Sequence, residues 1–119
     1  ITLCSLHALG DPGAKGVALE LPDSGRQIEI LVVQKAGVVY AYHNRCPHTG
    51  INLEWMPDQF LDLDKHYIQC ATHGALFRME DGYCLRGPCA GDSLTQLNVR
   101  LVDGAVVMAD WSQLTQLRD

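Results

Sequence analysis

Positive charge is scarce in this chain: nine Lys and Arg stand against fourteen Asp and Glu in 119 residues, a formal net charge of -5. Such a surface does not attract a polyanion, so no nucleic acid is expected as a partner. Long apolar runs are missing as well. The run around Ile30 to Val33, like every other, falls far short of the ~20 residues that a membrane-spanning helix needs, and no membrane partner is expected. Residues Ile1 to Gly10 carry no basic stretch followed by an apolar one, so no signal peptide is legible; because the sequence starts without Met, a removed leader stays open. The expected location is the cytoplasm. No stretch sustains helical spacing over ten residues, and neither a repeat nor a low-complexity segment is visible.

What is present is alternation and turn chemistry, with an apolar fraction of 47% that suffices for one core in one domain. The pattern predicts an all-β protein with strands at Ile1 to Cys4, Gly16 to Leu21, Gln27 to Gln34, Val38 to His43, His66 to Cys70, Ala75 to Met79, Leu94 to Val102 and Ala105 to Ala109. Asp103-Gly104 has the form of a two-residue hairpin turn with positive φ at its central positions, and Ala36-Gly37 and Asp81-Gly82 punctuate two further strand pairs. Trp111 to Asp119 reads as a polar tail. Two stretches break the β pattern: Asn44 to Asp64, and Gly87 to Asp92, both rich in Pro, Gly, Cys and acid. A loop of some twenty residues in a small domain is uncommon and is usually functional or tied down.

Inside and beside those loops lie two short pairs, Cys46-Pro47-His48-Thr49-Gly50 and Cys70-Ala71-Thr72-His73-Gly74, separated by residues Thr49 to Gln69. Each pair can deliver one thiolate and one imidazole to a single point. Four such ligands fit either a structural zinc ion or a 2Fe-2S cluster with mixed ligation. Spacing separates the two. The usual zinc finger pairs Cys with Cys and His with His, whereas here each loop offers one of each. A cluster in which one iron has two Cys and the other two His needs that mixed supply.

The C-x-H at Cys46 and His48, followed by C-x-x-H at Cys70 and His73, resembles the Rieske iron-sulfur family, and the whole chain is similar to its small ferredoxin-type members. The similarity extends to Asn44-Arg45, to Gly74-Ala75-Leu76-Phe77, and to Asp81-Gly82 leading to Gly87-Pro88, which resembles the proline-containing loop that shields the cluster. It implies an antiparallel β-sandwich base formed from both ends of the chain, residues 1–42 and 90–110, with a small cluster-binding subdomain inserted roughly from His43 to Cys89 and a tail at 111–119. By position Cys46 and Cys70 would hold the inner iron, and His48 and His73 the outer one. The interval between the pairs is a few residues longer than is usual in the family, and the extra length falls in Glu54 to Lys65.

The resemblance also bears on tuning. High-potential members carry an extra Cys in each cluster loop, where this chain has Ile51 and Thr72, and hydroxyl donors where it has Ala75 and Phe77. Without donors to stabilise the reduced, more negative cluster, a low potential is expected, toward the bottom of the roughly -150 to +300 mV span of such centres. Protonation of His48 or His73 would couple reduction to pH. Of the other cysteines, Cys4 reads as a small core residue, and Cys84 and Cys89 can either form a disulfide or stay adjacent thiols. Glu54, Asp58, Asp62 and Asp64 make the long loop acidic: a solvated face, or a docking face for a basic redox partner.

The reading that follows is a soluble one-electron carrier, acting as a ferredoxin or as a small subunit of an oxygenase or reductase system, with a redox protein as partner and no organic substrate. A complete ring-hydroxylating oxygenase needs a second domain for mononuclear iron, for which 119 residues leave no room. The alternative is a zinc-stabilised interaction module using Cys46, His48, Cys70 and His73. A Cys nucleophile at position 46 or 70 would require fewer residues than two symmetrical pairs.

Overall fold

The computed structural model describes residues 1–10, 12–22, 24–45, 53, 60–62, 65–70, 74–87 and 90–115. Along these run β1 (Thr2–Ser5), a 3-10 turn (Leu6–Ala8), β2 (Gly13–Glu20), β3 (Gln27–Lys35), β4 (Val38–His43), β5 (Tyr67–Gln69), β6 (Leu76–Arg78), β7 (Cys84–Arg86), β8 (Gln96–Leu97), β9 (Arg100–Val102), β10 (Ala105–Val107) and α1 (Ser112–Thr115). They pair antiparallel into three sheets, in the orders β1-β10-β9, β2-β3-β4-β8 and β5-β6-β7. The all-β expectation is met. Among the described residues no helix is long and apolar enough to cross a membrane.

Strand β3 explains the architecture. Its Ile30-Leu31-Val32-Val33 run is fully buried on both faces, which is why it reads as continuously apolar rather than alternating. Because successive side chains point to opposite faces, Ile28, Ile30 and Val32 enter one core while Leu31 and Val33 enter another. The first core lies toward the sheet of β1, β9 and β10 and contains Leu3, Val106 and Met108, together with Leu97 and Ala41. The second lies toward β5–β7 and contains Ile68, Cys70, Ala75, Phe77, Met79 and Cys84, with Tyr42 from β4. Each fully buried aliphatic side chain contributes about 2 kcal/mol of transfer free energy, so both faces are strongly specified.

The turns follow their residues. Ala36 and Gly37, at φ 53° and 79°, join β3 to β4, and Asp103 and Gly104, at φ 50° and 77°, join β9 to β10; both are two-residue turns with positive φ at each central position. The Asp81-Gly82 signal belongs to a longer connection, closed by Arg78 N–H to the Tyr83 carbonyl at 3.0 Å and Gly82 N–H to the Arg78 carbonyl at 2.9 Å.

Five details differ from the sequence pattern. β2 starts at Gly13 rather than Gly16, and the 3-10 turn Leu6–Ala8, capped by the Ser5 hydroxyl at 3.2 Å from Ala8 N, was not expected. β7 was not expected either, because Leu85 and Arg86 are exposed and give a three-residue strand no alternation to read. The single run expected from Leu94 to Val102 is two strands in two sheets: β8 pairs β4, β9 pairs β10, and the chain changes sheet between Leu97 and Arg100. The stretch read as a polar tail begins as a docked turn of helix. Leu114 is fully buried, Asp110 Oδ1 accepts from Ser112 N at 2.9 Å, and Gln113 exchanges hydrogen bonds of 2.6 and 3.1 Å with the Asn98 backbone.

Candidate metal centre

The hairpin of β5 and β6 carries the second Cys/His pair. Its register runs Tyr67 to Arg78, Ile68 to Phe77 and Gln69 to Leu76, and the ladder continues as Cys70 N–H donates to the Ala75 carbonyl at 2.8 Å. The Gly74 N–H then donates back to the Cys70 carbonyl at 2.9 Å, with Gly74 at φ 64°, a left-handed conformation that glycine adopts without strain. Cys70 is completely buried, in the core with Leu53, Phe60, Ile68, Ala75, Phe77 and Cys84. His73, between Cys70 and Gly74 in sequence, lies outside the described residues.

The first pair follows the end of β4. There His43 N–H donates to the Thr95 carbonyl and Asn44 N–H to the Glu29 carbonyl, both at 2.9 Å, and Arg45 N–H to the His43 carbonyl at 2.8 Å. Asn44 is nearly fully buried, and its Oδ1 accepts from the Leu53 N–H at 2.9 Å. One side chain therefore ties together the two ends of the segment that carries Cys46 and His48, and Leu53 packs in the same core as Cys70. Cys46 and His48 themselves lie outside the described residues, as do Ile51 and Thr72. In the sequence Asn44 is marked only by its place, a polar residue at the end of a strand just before the first Cys/His pair.

The third contributor is the chain after β7. The Cys84 thiol donates to the Arg86 carbonyl at 3.3 Å, and Ala90 N–H closes a turn onto the Gly87 carbonyl at 3.1 Å. Gly87, at φ 107°, lies against Ala75: a Cβ built on it would stand 2.8 Å from Ala75 Cβ and 2.9 Å from Ala75 Cα. Pro88 and Cys89 lie outside the described residues, and the question of a Cys84–Cys89 disulfide with them.

Polar contacts fix this part of the molecule to the central sheet. The buried Tyr42 hydroxyl donates to the Met79 carbonyl, and burial pushes that phenol well above its ordinary range. Lys35 at the end of β3 pairs with Glu80 at 3.0 Å, a hydrogen bond that lowers the Glu80 carboxyl. Arg78 pairs with Asp81 and lies 5.0 Å over the Tyr83 ring; the guanidinium, then the Tyr83 N–H, hold the Asp81 carboxyl below its usual range. Of the acidic residues in the long loop, Asp62 has a structural task. Its Oδ1 accepts from the N–H groups of His66 at 2.8 Å and Tyr67 at 3.2 Å, which starts β5 after Lys65, at φ 56°. Glu54, Asp58 and Asp64 lie outside the described residues.

Among the described residues no group of three or more His, Cys, Asp or Glu could hold a metal, because only Cys70 of the four candidates is described. Cys70 fits an iron-sulfur ligand: a soft donor, screened from water, at the base of a tight glycine-containing turn. Ala75 and Phe77, both fully buried beside it, offer no hydroxyl. Cys4 is partly buried on the other core, away from this site, and burial raises its thiol pKa.

This arrangement of antiparallel sheets and cysteine-bearing hairpin has a counterpart among known families. The family model described as Rieske [2Fe-2S] domain matches residues 13–106, and the chain belongs to that family, whose cofactor is a 2Fe-2S cluster. Among solved structures, a ferredoxin of Sphingomonas yanoikuyae B1 is similar at 23% identity, with a TM-score of 0.67 over 91% of this chain and 95% of that one. The ferredoxin of carbazole 1,9a-dioxygenase from Nocardioides aromaticivorans IC177 is similar at 20% identity, with a TM-score of 0.66 over 89% of this chain and 92% of that one. The terminal oxygenase of carbazole 1,9a-dioxygenase from Novosphingobium sp. KA1 matches at 24% identity and a TM-score of 0.66, over 89% of this chain but only 28% of the oxygenase. A comparison with curated proteins finds no match.

Proposed function

We propose that this chain is a one-electron carrier of the Rieske ferredoxin type. It would hold one 2Fe-2S cluster through Cys46 and Cys70 on the inner iron and His48 and His73 on the outer, with residues 43–89 as the cluster-binding unit and residues 1–42 and 90–110 as its base. The observation that carries the reading is the family match across residues 13–106, within which the chain supplies all four mixed ligands and buries Cys70 completely. The cluster supplies the electron; the protein's own part is to screen Cys70 from water and to present the other end of the site to a partner. Ferredoxin-sized neighbours, matched along nearly their whole length, support the carrier reading. One neighbouring structure is a complex of reduced oxygenase with oxidised ferredoxin, which supports a redox protein as partner here too. The carrier itself would transform no organic substrate and would work in the cytoplasm.

The test is the visible absorption and EPR of protein purified without air, before and after dithionite. A red-brown sample that becomes EPR-active on reduction, with a midpoint potential below 0 mV, is the expected result. Loss of that signal in Cys70→Ser assigns the ligand. A colourless protein with about one zinc per chain would overturn the proposal.

A further inference from the structure

The sheet of β5, β6 and β7 turns one face to the core and the other outward. Ile68, Phe77 and Cys84 form its buried row, and the register sets two rows on the opposite face: Gln69–Leu76–Arg86, next to Cys70, and Tyr67–Arg78, one step further along. Tyr83 joins the second row, with Arg78 5.0 Å over its ring. Three features set this face apart. Both charged residues of the three strands are Arg, in a chain whose net charge is -5. Among the described residues only five large hydrophobic side chains are exposed, and two of them, Tyr83 and Leu85, stand here. Arg78 is held by Asp81 and Tyr83, whereas Arg86 is exposed and makes no ion pair among the described residues. Arg and Tyr beside apolar surface are enriched in protein–protein contacts, and a guanidinium meets a carboxylate through two parallel hydrogen bonds. We propose that this outer face docks an acidic surface of the redox partner, with Arg86 as the charged anchor at the Cys70 end and Tyr83 and Leu85 as the apolar part. Arg86 is two strands from Gln69, about 10 Å by strand spacing, so a partner seated here lies close to the strand that leads into Cys70. The net negative charge of the chain disfavours the same partner elsewhere, so the face also sets orientation. The inference rests on the carrier reading and adds to it the docking face and the charge of the partner.

The test is stopped-flow oxidation of the dithionite-reduced holoprotein by ferricyanide, an anion, and by hexaammineruthenium(III), a cation, each of which accepts one electron from the protein. Arg86→Glu reverses a charge on an exposed side chain and leaves the core untouched. At about 0.1 M salt it is expected to slow the ferricyanide reaction roughly five-fold and to speed the hexaammineruthenium(III) reaction, with Arg86→Gln between it and the parent. The control is Arg100→Glu, the same change of charge on exposed β9, in the sheet on the other side of β3; both of its rates are expected to stay near those of the parent. A polyglutamate peptide, itself redox-inert, stands in for the acidic surface of a partner. It is expected to slow the ferricyanide reaction of the parent by occupying the face, and to leave that of Arg86→Glu unchanged. Equal rates for the position 86 and position 100 variants, or a parent indifferent to polyglutamate, overturn the proposal. A protein that takes up no electron from dithionite overturns the carrier reading instead.

Discussion

The two sides of the central sheet are held by different means. Toward β1, β9 and β10 the core is almost entirely aliphatic, its elements arrive from both ends of the chain, and area burial does most of the work. Toward β5, β6 and β7 the strands are three residues each, as short as β9 and β10, and single polar or backbone contacts supplement the burial. Asn44 ties a loop shut, Tyr42 anchors Met79, Asp62 starts a strand and Gly87 seats a turn. A scaffold can be approximate where it only needs to be apolar. A ligand loop cannot, because a donor displaced by a fraction of an ångström is a different donor.

That contrast predicts different failures on the two sides. Gly13→Ala is expected to have the largest effect. A Cβ there would stand 1.7 Å from the Leu9 carbonyl oxygen, so the β1–β2 connection must move and the aliphatic side should lose at least about 3 kcal/mol. Denaturant unfolding checks it; a midpoint unchanged from the parent would show that the connection relaxes freely. Asn44→Ala should act on the other side alone. The Leu53 N–H, left buried without its acceptor, costs about 1–3 kcal/mol, and the segment carrying Cys46 and His48 loosens. Faster iron release with far-UV circular dichroism intact is the expected pair of results, and loss of both together would mean that the two sides fail as one. The smallest effect is electrostatic. Asp81 has a folded pKa below its unfolded value of about 4, so its contribution is present above that value and disappears as pH falls through the folded pKa. Asp81→Asn should therefore lower thermal stability slightly at neutral pH and not at all at the acid end of a pH series. The exposure of the Arg78–Asp81 pair keeps the difference small.

Legibility in the sequence followed the same division. The β2–β3–β4 meander was readable because its apolar pattern is long and Ala36-Gly37 stands where the β3–β4 turn needs positive φ, as Asp103-Gly104 does between β9 and β10. The short strands were harder. β7 has one buried residue, Cys84, too few to make a pattern, and the sheet change between Leu97 and Arg100 has no signature because both flanking strands are brief. Leu114 looked like one apolar residue in a polar tail, since only three-dimensional neighbours reveal that it fills a place in the core. At the candidate site the four candidate ligands were chosen by type and spacing; Cys70 lies fully buried at the foot of the β5–β6 turn, whereas Cys46, His48 and His73 lie outside the described residues. The supporting side chains were not legible as such. Asn44 and Asp62 are ordinary loop residues until their acceptor oxygens are seen to face backbone N–H groups; Asp62 had been read only as surface charge.

Strand β3 also bears on how such a sequence can change in length. Its residues alternate between two different cores, so inserting or deleting one residue between Gln27 and Lys35 would move every later side chain into the wrong core, placing Leu31 where Val32 belongs and Ile30 where Leu31 belongs. No local repair exists for that error, because both faces are occupied. A change in length is better tolerated in segments outside the strand, such as the long interval between the two Cys/His pairs. A strand with two buried faces thus works as a fixed ruler for the whole fold.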